Sequence, residues 1–310
     1  MNLRRLGDSD LHVSEICLGT WTTFGGSLDD TVAHELVDLA FELGINFFDT
    51  ANVYSAGRSE EVLGAALAKR PRDSYILATK VFAPAPDGGR GLSREQILKQ
   101  IDASLGRLGM DFVDLYQCHS WDDDVPLEEQ LGAFTEVVDA GKARWIGVSN
   151  WSGEQIRRAV DLAREHGFAK IVSSQPEYSL LERDPEQDVI PASRETSVSQ
   201  IVYSPLAQGV LTGKYAPGGE AGEGTRAAAR SQWMQLYNDD VLARVQLLRP
   251  IADGLGVSMA QLALAWILRE PNVASAIIGA SKPDQLRDNA GASGVVLDDA
   301  TLRAIDDALG

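Results

Sequence analysis

The stretch INFFDTANVYSAGRSEEVLG, residues 45–64, passes from an apolar strand pattern into a loop and then into a segment with helical spacing. Asp49 ends the strand pattern, and Tyr54 lies five residues further on, in the loop. A strand followed by a helix is the unit from which parallel α/β folds are built. The number of times that this unit recurs therefore decides the fold, and the acid and the phenol at the strand end require a chemical explanation.

The same unit recurs along the whole chain. With NFFDT near residue 47, the short apolar or β-branched runs are EICLG near 16, YILATK near 77, FVDLYQCH near 115, RWIGVSN near 146, IVSSQ near 173, QIVYSP near 202 and SAIIG near 277. Amphipathic segments such as VAHELVDLAFELG separate most of them. Eight strands alternating with helices are typical of a (β/α)8 TIM barrel, whose core has about 250 residues. We predict one such α/β barrel domain over residues 1–310.

Capping residues mark the predicted helix boundaries. A serine followed three positions later by a glutamine occurs in the pairs Ser93 and Gln96, Ser152 and Gln155, and Ser258 and Gln261. Glycines typical of helix C-caps are Gly44, Gly109, Gly141 and Gly167. These signals support the assignment of the intervening segments as helices.

The segment between the seventh and eighth strand patterns is twice as long as the others. It begins with GKYAPGGEAGEGTRAAARSQ, residues 213–232, which predicts a mobile loop over the barrel mouth. Two helical patterns follow, DDVLARVQLLRPIADGLG and SMAQLALAWILRE. A linker between two domains is the alternative interpretation. We favour the loop, because the strand needed to close the barrel lies beyond it.

Charge and cysteine content exclude several classes of function. The formal net charge is −17 and no Lys/Arg cluster occurs, which disfavours a nucleic-acid partner. The acid run 122–124 is either a metal site or a solvated loop, and we interpret it as solvated. Cys17 and Cys118 lie far apart in strand patterns, which predicts buried reduced thiols.

Membrane-spanning and secretory signals in the sequence bear on the location of the protein. No run of about 18 apolar residues occurs, which argues against membrane insertion. The first residues lack the apolar core and small-residue cleavage site of a secretory signal. We therefore expect a cytoplasmic protein.

Four titratable side chains lie at the predicted carboxyl ends of neighbouring strands. Asp49 ends the second strand, Lys80 ends the third, His119 follows the fourth, and Tyr54 lies in the loop after the second. In a (β/α)8 barrel these strand ends meet at one face, where catalytic residues are found. We expect the four side chains to lie close together.

Proton transfer is the chemistry that this set of residues suits. An ammonium beside a phenol stabilises the phenolate, so Lys80 is expected to lower the pKa of Tyr54. Asp49 is expected to keep Lys80 charged and oriented. Tyr54 would then deliver a proton to a substrate oxygen, in a polar pocket completed by His119. A structural ion pair, a turn aromatic and a rim histidine remain the alternatives for these positions.

Seven segments, taken in order, resemble the aldo-keto reductase family. They are FFDTANVY, ATK, LYQCH, GVSN, SQPEYSLL, YSPLAQGVLTGKY and IIGASKPDQLRDN. Within that family the chain is most similar to the branch containing the β subunits of voltage-gated potassium channels and many bacterial reductases. The resemblance implies Tyr54 as general acid/base, tuned by Lys80 and Asp49, with His119 orienting the carbonyl. It also implies metal-free hydride transfer between a nicotinamide cofactor and an aldehyde or ketone.

The resemblance further implies a set of cofactor-binding residues. Ser149, Asn150 and Gln175 would hydrogen-bond the nicotinamide carboxamide, and Tyr203 would stack beneath its ring. The pyrophosphate loop would comprise Ser204, Pro205, Leu206, Gln208, Gly209 and Leu211, with Lys214 and Arg226 on either side of the Gly/Ala-rich segment. The adenosine end would meet Gly279, Ala280, Ser281, Lys282, Gln285, Asp288 and Asn289. The pair Ser281 and Lys282 favours NADP(H), while use of NAD(H) stays open.

Two positions depart from the family pattern. Ser55 follows the tyrosine where many members have glycine, and Cys118 precedes the histidine where an aliphatic residue is common. Because side chains alternate along a strand, Cys118 is expected to point away from His119 and to pack against helices.

Aromatic residues are expected at the barrel mouth. Trp21, Phe82, Trp121 and Trp151 all follow strand patterns, and the first three are our candidates for substrate contact. The loop near residues 216–230 would modulate access. The sequence predicts neither the individual carbonyl compound nor the oligomeric state.

Two other classes of function remain open. The first is a nucleotide-sensing regulatory subunit with slow or no turnover, since channel β subunits resemble this chain. The second is a barrel lyase or aldolase that uses Lys80 as a Schiff-base nucleophile. Asp49 argues against the second, because it would keep Lys80 charged.

Overall fold

A computed structural model describes residues 1–219, 222, 226–229, 234 and 236–310, with only the backbone of Arg226 and Ala229. Eight parallel strands close into a barrel, in sequence order around the ring. We number them β1 Ile16–Gly19, β2 Phe47–Asp49, β3 Ile76–Val81, β4 Val113–Cys118, β5 Ala143–Ser149, β6 Ile171–Gln175, β7 Ser199–Val202 and β8 Val273–Ile278. The predicted (β/α)8 barrel is confirmed, and each predicted strand pattern forms one of its strands.

Helices surround the strands. Those of the described part are α1 Asp30–Glu42, α2 Arg58–Leu67, α3 Arg94–Leu108, α4 Leu127–Asp139, α5 Gly153–His166, α6 Val189–Thr196, α7 Arg226–Ala229, α8 Asp239–Gln246, α9 Arg249–Leu255, α10 Met259–Leu268, α11 Pro283–Ala290 and α12 Asp299–Leu309. In that part of the chain no single helix has the length and apolarity to cross a membrane. The segments Asp239–Leu255, which holds α8 and α9, and Met259–Leu268, which is α10, meet these criteria only when taken together, and the chain bends by 87° between them.

The predicted caps lie where the helices begin and end. Ser152 and Ser258 each form a full capping box, whereas Ser93 accepts the bond from Gln96 N without the reciprocal one. Gly109 and Gly167 are the C-caps of α3 and α5. Gly44 and Gly141 follow the C-caps of α1 and α4 by one residue, both with positive φ.

Alternation along the strands separates two apolar layers. In β3, Ile76 and Ala78 belong to the layer inside the barrel, and Leu77 and Val81 belong to the layer between barrel and helices. Lys80 therefore faces the interior. Cys118 lies in the outer layer, which confirms its predicted orientation, whereas Cys17 lies inside.

An N-terminal hairpin, which the strand patterns did not predict, covers the bottom of the barrel. Leu3–Arg5 pairs antiparallel with His12–Ser14, and the hairpin contributes Leu6, Leu11 and Val13 to the interior layer. Gly7 turns the chain at φ 52°, where a Cβ would come within 2.2 Å of Val172 O. Only glycine fits this close approach. The hairpin thus closes the end of the barrel opposite the one where the strand carboxyl ends meet.

The long segment before β8 contains a 3₁₀ turn, Ala207–Thr212, and helices α7 to α10. The two helical patterns predicted there are confirmed, the first of them as the consecutive helices α8 and α9. Much of the predicted loop 213–232 lies outside the described residues, so its mobility stays a prediction.

Candidate active site

The side chain of Lys80 lies at the centre of the barrel mouth and is completely buried. Its ammonium Nζ donates to Asp49 Oδ1 at 2.5 Å, to the carbonyl oxygen of Thr50 at 2.9 Å and to Tyr54 Oη at 3.2 Å. Three acceptors use all three N–H donors of an ammonium. The predicted meeting of Asp49, Lys80 and Tyr54 is confirmed.

Asp49 is held by two amides as well as by the lysine. Its second oxygen, Oδ2, accepts from Gln175 Nε2 at 3.1 Å and from Gln117 Nε2 at 3.5 Å. Gln175 was predicted to meet the cofactor, and Gln117 was not among the predicted site residues. The signal for Gln117 was available, because a residue two positions before His119 on β4 points to the same side as Lys80 on β3.

The pKa of Tyr54 differs from the sequence-based prediction. Burial raises this pKa, and the lowering by Lys80 does not offset it, while Asp49 raises it further. The prediction that Lys80 brings the phenol pKa below its usual value is therefore wrong for the protein alone. Tyr54 is a protonated phenol at neutral pH, which is the form that can donate a proton.

Lys80 remains a cation in this site. Burial lowers its pKa, but the charge of Asp49 and the proximity of Tyr54 outweigh burial, and the net pKa is raised. Removal of either partner from such a buried pair leaves an uncompensated charge. The raised pKa of Lys80 agrees with the expectation that Asp49 keeps the lysine charged.

His119 lies against Tyr54 and is a neutral base. The two ring centroids are 5.6 Å apart in an edge-to-face arrangement. Burial, with a smaller effect of Lys80, lowers the pKa of His119 to about 3. Its Nδ1 is buried and has no hydrogen-bond partner among the described residues. A neutral imidazole beside the phenol can orient a substrate oxygen without carrying charge.

The residues predicted to meet the nicotinamide form one hydrogen-bonded chain. Ser149 Oγ donates to the carbonyl oxygen of Gln175 at 2.7 Å, and Asn150 Nδ2 donates to Ser149 Oγ at 3.2 Å. Tyr203 Oη donates to Asn150 Oδ1 at 2.9 Å. Asn150 Nδ2 also donates to the carbonyl oxygen of His119 at 3.2 Å, which joins this chain to the catalytic candidates.

The loop after β7 contains several residues in the left-handed backbone conformation. Ser204, Ala207, Gln208 and Gly209 all have positive φ. A Cβ at Gly209 would lie 3.0 Å from Lys214 Nζ, so the lysine crosses directly over the glycine. The Oε1 atom of Gln208 is buried and finds no partner within the described part of the chain. The amides of Ala207 and Gly209 donate to the carbonyl oxygens of Ser204 and Leu206, so the Lys214 ammonium is the group of this loop that suits a phosphate.

The other predicted members of this loop lie along the same turn. They are Pro205, Leu206 and Leu211. Arg226, the second predicted cation, begins α7, and its side chain is outside what the structure describes.

The loop after β8 leads into α11. Ser281 donates through N and Oγ to Gln285 Oε1, at 2.8 and 3.1 Å, and Lys282 is the exposed N-cap residue. Asp288 Oδ2 accepts from Ser258 Oγ at 2.9 Å, which turns this carboxylate towards α10. The remaining predicted residues of this loop and helix are Gly279, Ala280 and the buried Asn289. A phosphate site after the last two strands is common in barrels of this kind.

These two loops fit a dinucleotide phosphate. Lys214 and Lys282 supply cations, Lys214 lies directly over Gly209, and Tyr203 presents a ring beside the amide of Asn150. Among the described residues there is no group of three or more His, Cys, Asp or Glu side chains that would hold a metal ion.

Comparison with known proteins identifies the family. The sequence model described as "Aldo/keto reductase family" matches residues 15–309, nearly the whole chain. The chain belongs to the aldo/keto reductase family.

Curated relatives place this aldo/keto reductase near the channel-subunit branch. It is 39% identical to "Probable voltage-gated potassium channel subunit beta" of Arabidopsis thaliana, over 96% of this chain and 92% of the relative. It is 40% identical to the protein of the same name from Oryza sativa subsp. japonica, with the same coverage of both chains. The resemblance inferred from the sequence motifs is confirmed at this level.

Aromatic residues of this aldo/keto reductase take different places at the mouth. Trp21 is 37% exposed, and Phe82 is partly buried with the Arg90 guanidinium 5.6 Å from its ring centroid. Trp151 is 2% exposed and packs edge-to-face on Trp121 at 4.6 Å. The buried Trp151 therefore packs beneath Trp121, which is the partly buried member of the pair.

The acid run beside Trp121 is solvated at Asp123 and Asp124, as predicted, whereas Asp122 is buried and corrects the prediction at that position. Asp122 is 7% exposed, and its Oδ2 accepts from Leu92 N at 2.7 Å. Asp123 Oδ1 accepts from Trp121 Nε1 at 2.6 Å. The run joins the loop after β4 to the loop after β3 and fixes the indole of Trp121, an arrangement that no local sequence pattern reveals.

Proposed function

We propose that this protein is an NADP(H)-dependent oxidoreductase that reduces aldehydes and ketones to alcohols, with Tyr54 as the general acid. The observation that carries the proposal is the buried Lys80 ammonium, which holds Asp49 Oδ1 at 2.5 Å and Tyr54 Oη at 3.2 Å. Membership of the aldo/keto reductase family supports an oxidoreductase in general.

Each polar side chain has a defined part in the reaction. The bound nicotinamide would supply the hydride to the carbonyl carbon. Tyr54 holds its proton at neutral pH and donates it from Oη to the oxygen as negative charge develops there. The charge of Lys80 stabilises the phenolate left behind, and Asp49 keeps Lys80 in place. The neutral His119 orients the same oxygen.

The cofactor-binding role rests on the loops after β5, β6, β7 and β8. Ser149, Asn150, Gln175 and Tyr203 would hold the nicotinamide end, and Lys214 above Gly209 would hold the pyrophosphate. Ser281 and Lys282 at the start of α11 suit a further phosphate, which favours NADP(H) over NAD(H). Trp21, Phe82 and Trp121 would line the carbonyl pocket.

The test is the consumption of NADPH with 4-nitrobenzaldehyde, a reactive aromatic aldehyde, followed by absorbance. We expect sustained turnover by the wild type, and a loss of at least about 100-fold in Tyr54→Phe, within the range of general acid catalysis. NADPH binding, followed by fluorescence quenching, should be nearly equal in both proteins. Repetition with NADH ranks the cofactors. Equal turnover by the two proteins would refute Tyr54 as the acid.

A nucleotide-sensing regulatory subunit is the second candidate, because the relatives are named as potassium channel β subunits. The same assay separates the two candidates. If wild type and Tyr54→Phe both bind NADPH and neither turns over, the regulatory function is favoured. A Schiff-base lyase is disfavoured, since the raised pKa of Lys80 and its three acceptors keep the amine protonated.

A further inference from the structure

The turn that carries Tyr54 has an unfavourable backbone. Ser55 and Ala56 both adopt the left-handed conformation, with φ of 48° and 53°. Residues with a Cβ rarely occupy this region, and they remain there only where the surroundings determine the conformation. Contacts on both sides of the turn must therefore hold Tyr54 in position.

Glu60 forms the contact on the carboxyl side. It lies in the first turn of α2, six residues after Tyr54, and is fully buried. Its Oε1 accepts from Thr79 Oγ1 at 2.6 Å, and its Oε2 accepts from Arg107 Nε at 2.7 Å. Thr79 directly precedes Lys80 in β3 and points to the opposite side of the strand. One carboxylate thus connects the helix behind Tyr54 to the strand that carries Lys80.

Arg107 extends this contact to the turn itself. Its Cδ lies 2.8 Å from the position that a Cβ on Gly57 would take, so the arginine packs directly against the last residue of the turn. Its Nη2 donates to Ser104 Oγ at 3.2 Å, within α3.

A second contact holds the amino side of the turn. Asn52 Nδ2 donates to Gln100 Oε1 at 3.2 Å, and Gln100 Nε2 donates to Asp87 Oδ1 at 2.9 Å. Gln100 and Arg107 both belong to α3. Helix α3 therefore contacts the turn on both sides of Tyr54, at Asn52 before it and at Gly57 after it.

We propose that Glu60 is a positioning residue for Tyr54, which acts through Thr79 and Arg107 to keep Tyr54 Oη within hydrogen-bond distance of Lys80 Nζ. The hydrogen-bond partners of Glu60 are Thr79 and Arg107, not Tyr54 Oη or Lys80 Nζ. Stability alone does not require the ion pair of Glu60 and Arg107, because apolar residues in place of both partners of a buried ion pair are often tolerated without loss. The inference rests on the proposed reductase function.

The test compares two buried glutamates with matched partners. Glu15, at the opposite end of the barrel, is also buried and accepts from Arg4 Nε at 2.8 Å and from Ser293 Oγ at 2.7 Å. We expect Glu60→Gln and Glu15→Gln to lower the melting temperature by similar amounts. Only Glu60→Gln should lower kcat, by about 10- to 100-fold, because misplacement of a catalytic group acts on the chemical step. The aldehyde KM and the NADPH Kd should change less than about 3-fold.

A second pair of variants covers failure of Glu60→Gln to fold. Thr79→Val removes the hydroxyl donor to Glu60, and Thr79→Ser retains it. We expect kcat to fall in Thr79→Val and to stay within about 2-fold of wild type in Thr79→Ser. The control Ser293→Ala removes the matching hydroxyl from Glu15 and should leave kcat unchanged.

Amide hydrogen exchange gives a result that does not depend on turnover. Exchange in residues 52–58 should rise in Thr79→Val and Glu60→Gln and stay at the wild-type level in Glu15→Gln. If the wild type does not reduce aldehydes, the reductase proposal fails. Amide hydrogen exchange in residues 52–58 still decides whether Glu60 stabilises the turn that carries Tyr54. Unchanged exchange and unchanged kcat in the Glu60 and Thr79 variants would overturn the positioning role.

Discussion

At the residue scale, the candidate site depends on how burial and charge balance at each titratable group. Burial favours the neutral form of all three residues in the Lys80, Tyr54 and His119 cluster, but only Lys80 has a carboxylate in direct contact. Lys80 is therefore charged, while Tyr54 and His119 are neutral. The Lys80 cation thus lies beside the protonated Tyr54 phenol, which can donate a proton.

The lowered pKa of His119 predicts a pH dependence of stability. Its pKa is about 3 in the folded protein against 6.5 for a histidine exposed to water, so the unfolded chain binds more protons between these values. The contribution of His119 to stability is complete above pH 6.5 and is lost as the pH falls towards 3. At pH 5 this loss amounts to at most about 2 kcal/mol.

Urea unfolding of wild type and His119→Gln, at pH 7 and pH 5, measures this contribution. The wild type should lose more of its unfolding free energy on acidification than the variant does. His12→Gln, at an exposed site of the N-terminal hairpin, is the control and should follow the wild type. Parallel losses in wild type and His119→Gln would show that the imidazole is not held neutral.

At the scale of elements, the 3₁₀ turn Tyr54–Gly57 carries the proposed general acid on a strained backbone. Ser55 adopts φ 48° and donates from Oγ to the carbonyl oxygen of Phe24 at 3.3 Å. The next residue, Ala56, has φ 53° and is exposed. Strain at this candidate catalytic turn is compensated by the contacts of α2 and α3 described above.

Ala56→Gly should therefore stabilise the protein. Relief of the left-handed conformation gains about 1–2 kcal/mol, and the greater freedom of glycine in the unfolded chain costs about 0.5–1 kcal/mol, so we expect a net gain of roughly 0.5–1 kcal/mol. The matched control is Ala65→Gly, at an exposed position inside α2, which should cost about 1 kcal/mol. Denaturant unfolding measures both, and loss of stability in Ala56→Gly would argue against the strain.

At the scale of the whole molecule, apolar packing and the candidate site lie at opposite ends of the barrel. The N-terminal hairpin closes the bottom with Leu6, Leu11 and Val13, while polar side chains from several strands meet at the mouth. Parallel strands with one closed end thus provide a rigid support for the loops that carry the site.

Leu6→Ala should test this separation. Leu6 is fully buried, so its truncation should lower the free energy of unfolding by about 2–5 kcal/mol. The kcat/KM for the aldehyde should stay within about 2-fold at a temperature where the variant is folded, because the cavity forms at the closed end. Leu3→Ala, at a position that is 53% exposed, should change stability by less than about 0.5 kcal/mol. A large fall in kcat/KM for Leu6→Ala would show that the two ends are coupled.

The sequence by itself determined the barrel, because strand and helix periodicities are local signals and the strand pattern recurs eight times. It also placed Asp49, Lys80, Tyr54 and His119 together, since the carboxyl ends of parallel strands meet at one face. The cofactor residues followed from family resemblance and remain predictions.

Only the tertiary structure decided the remaining features. The hairpin plug, the buried Asp122 and the contact of Glu60 with Thr79 and Arg107 each depend on partners far away in sequence. The direction of the Tyr54 pKa depends on the balance between burial and the charge of Lys80. No local pattern contains that balance, because the fraction of a side chain removed from water is fixed only when distant segments pack around it.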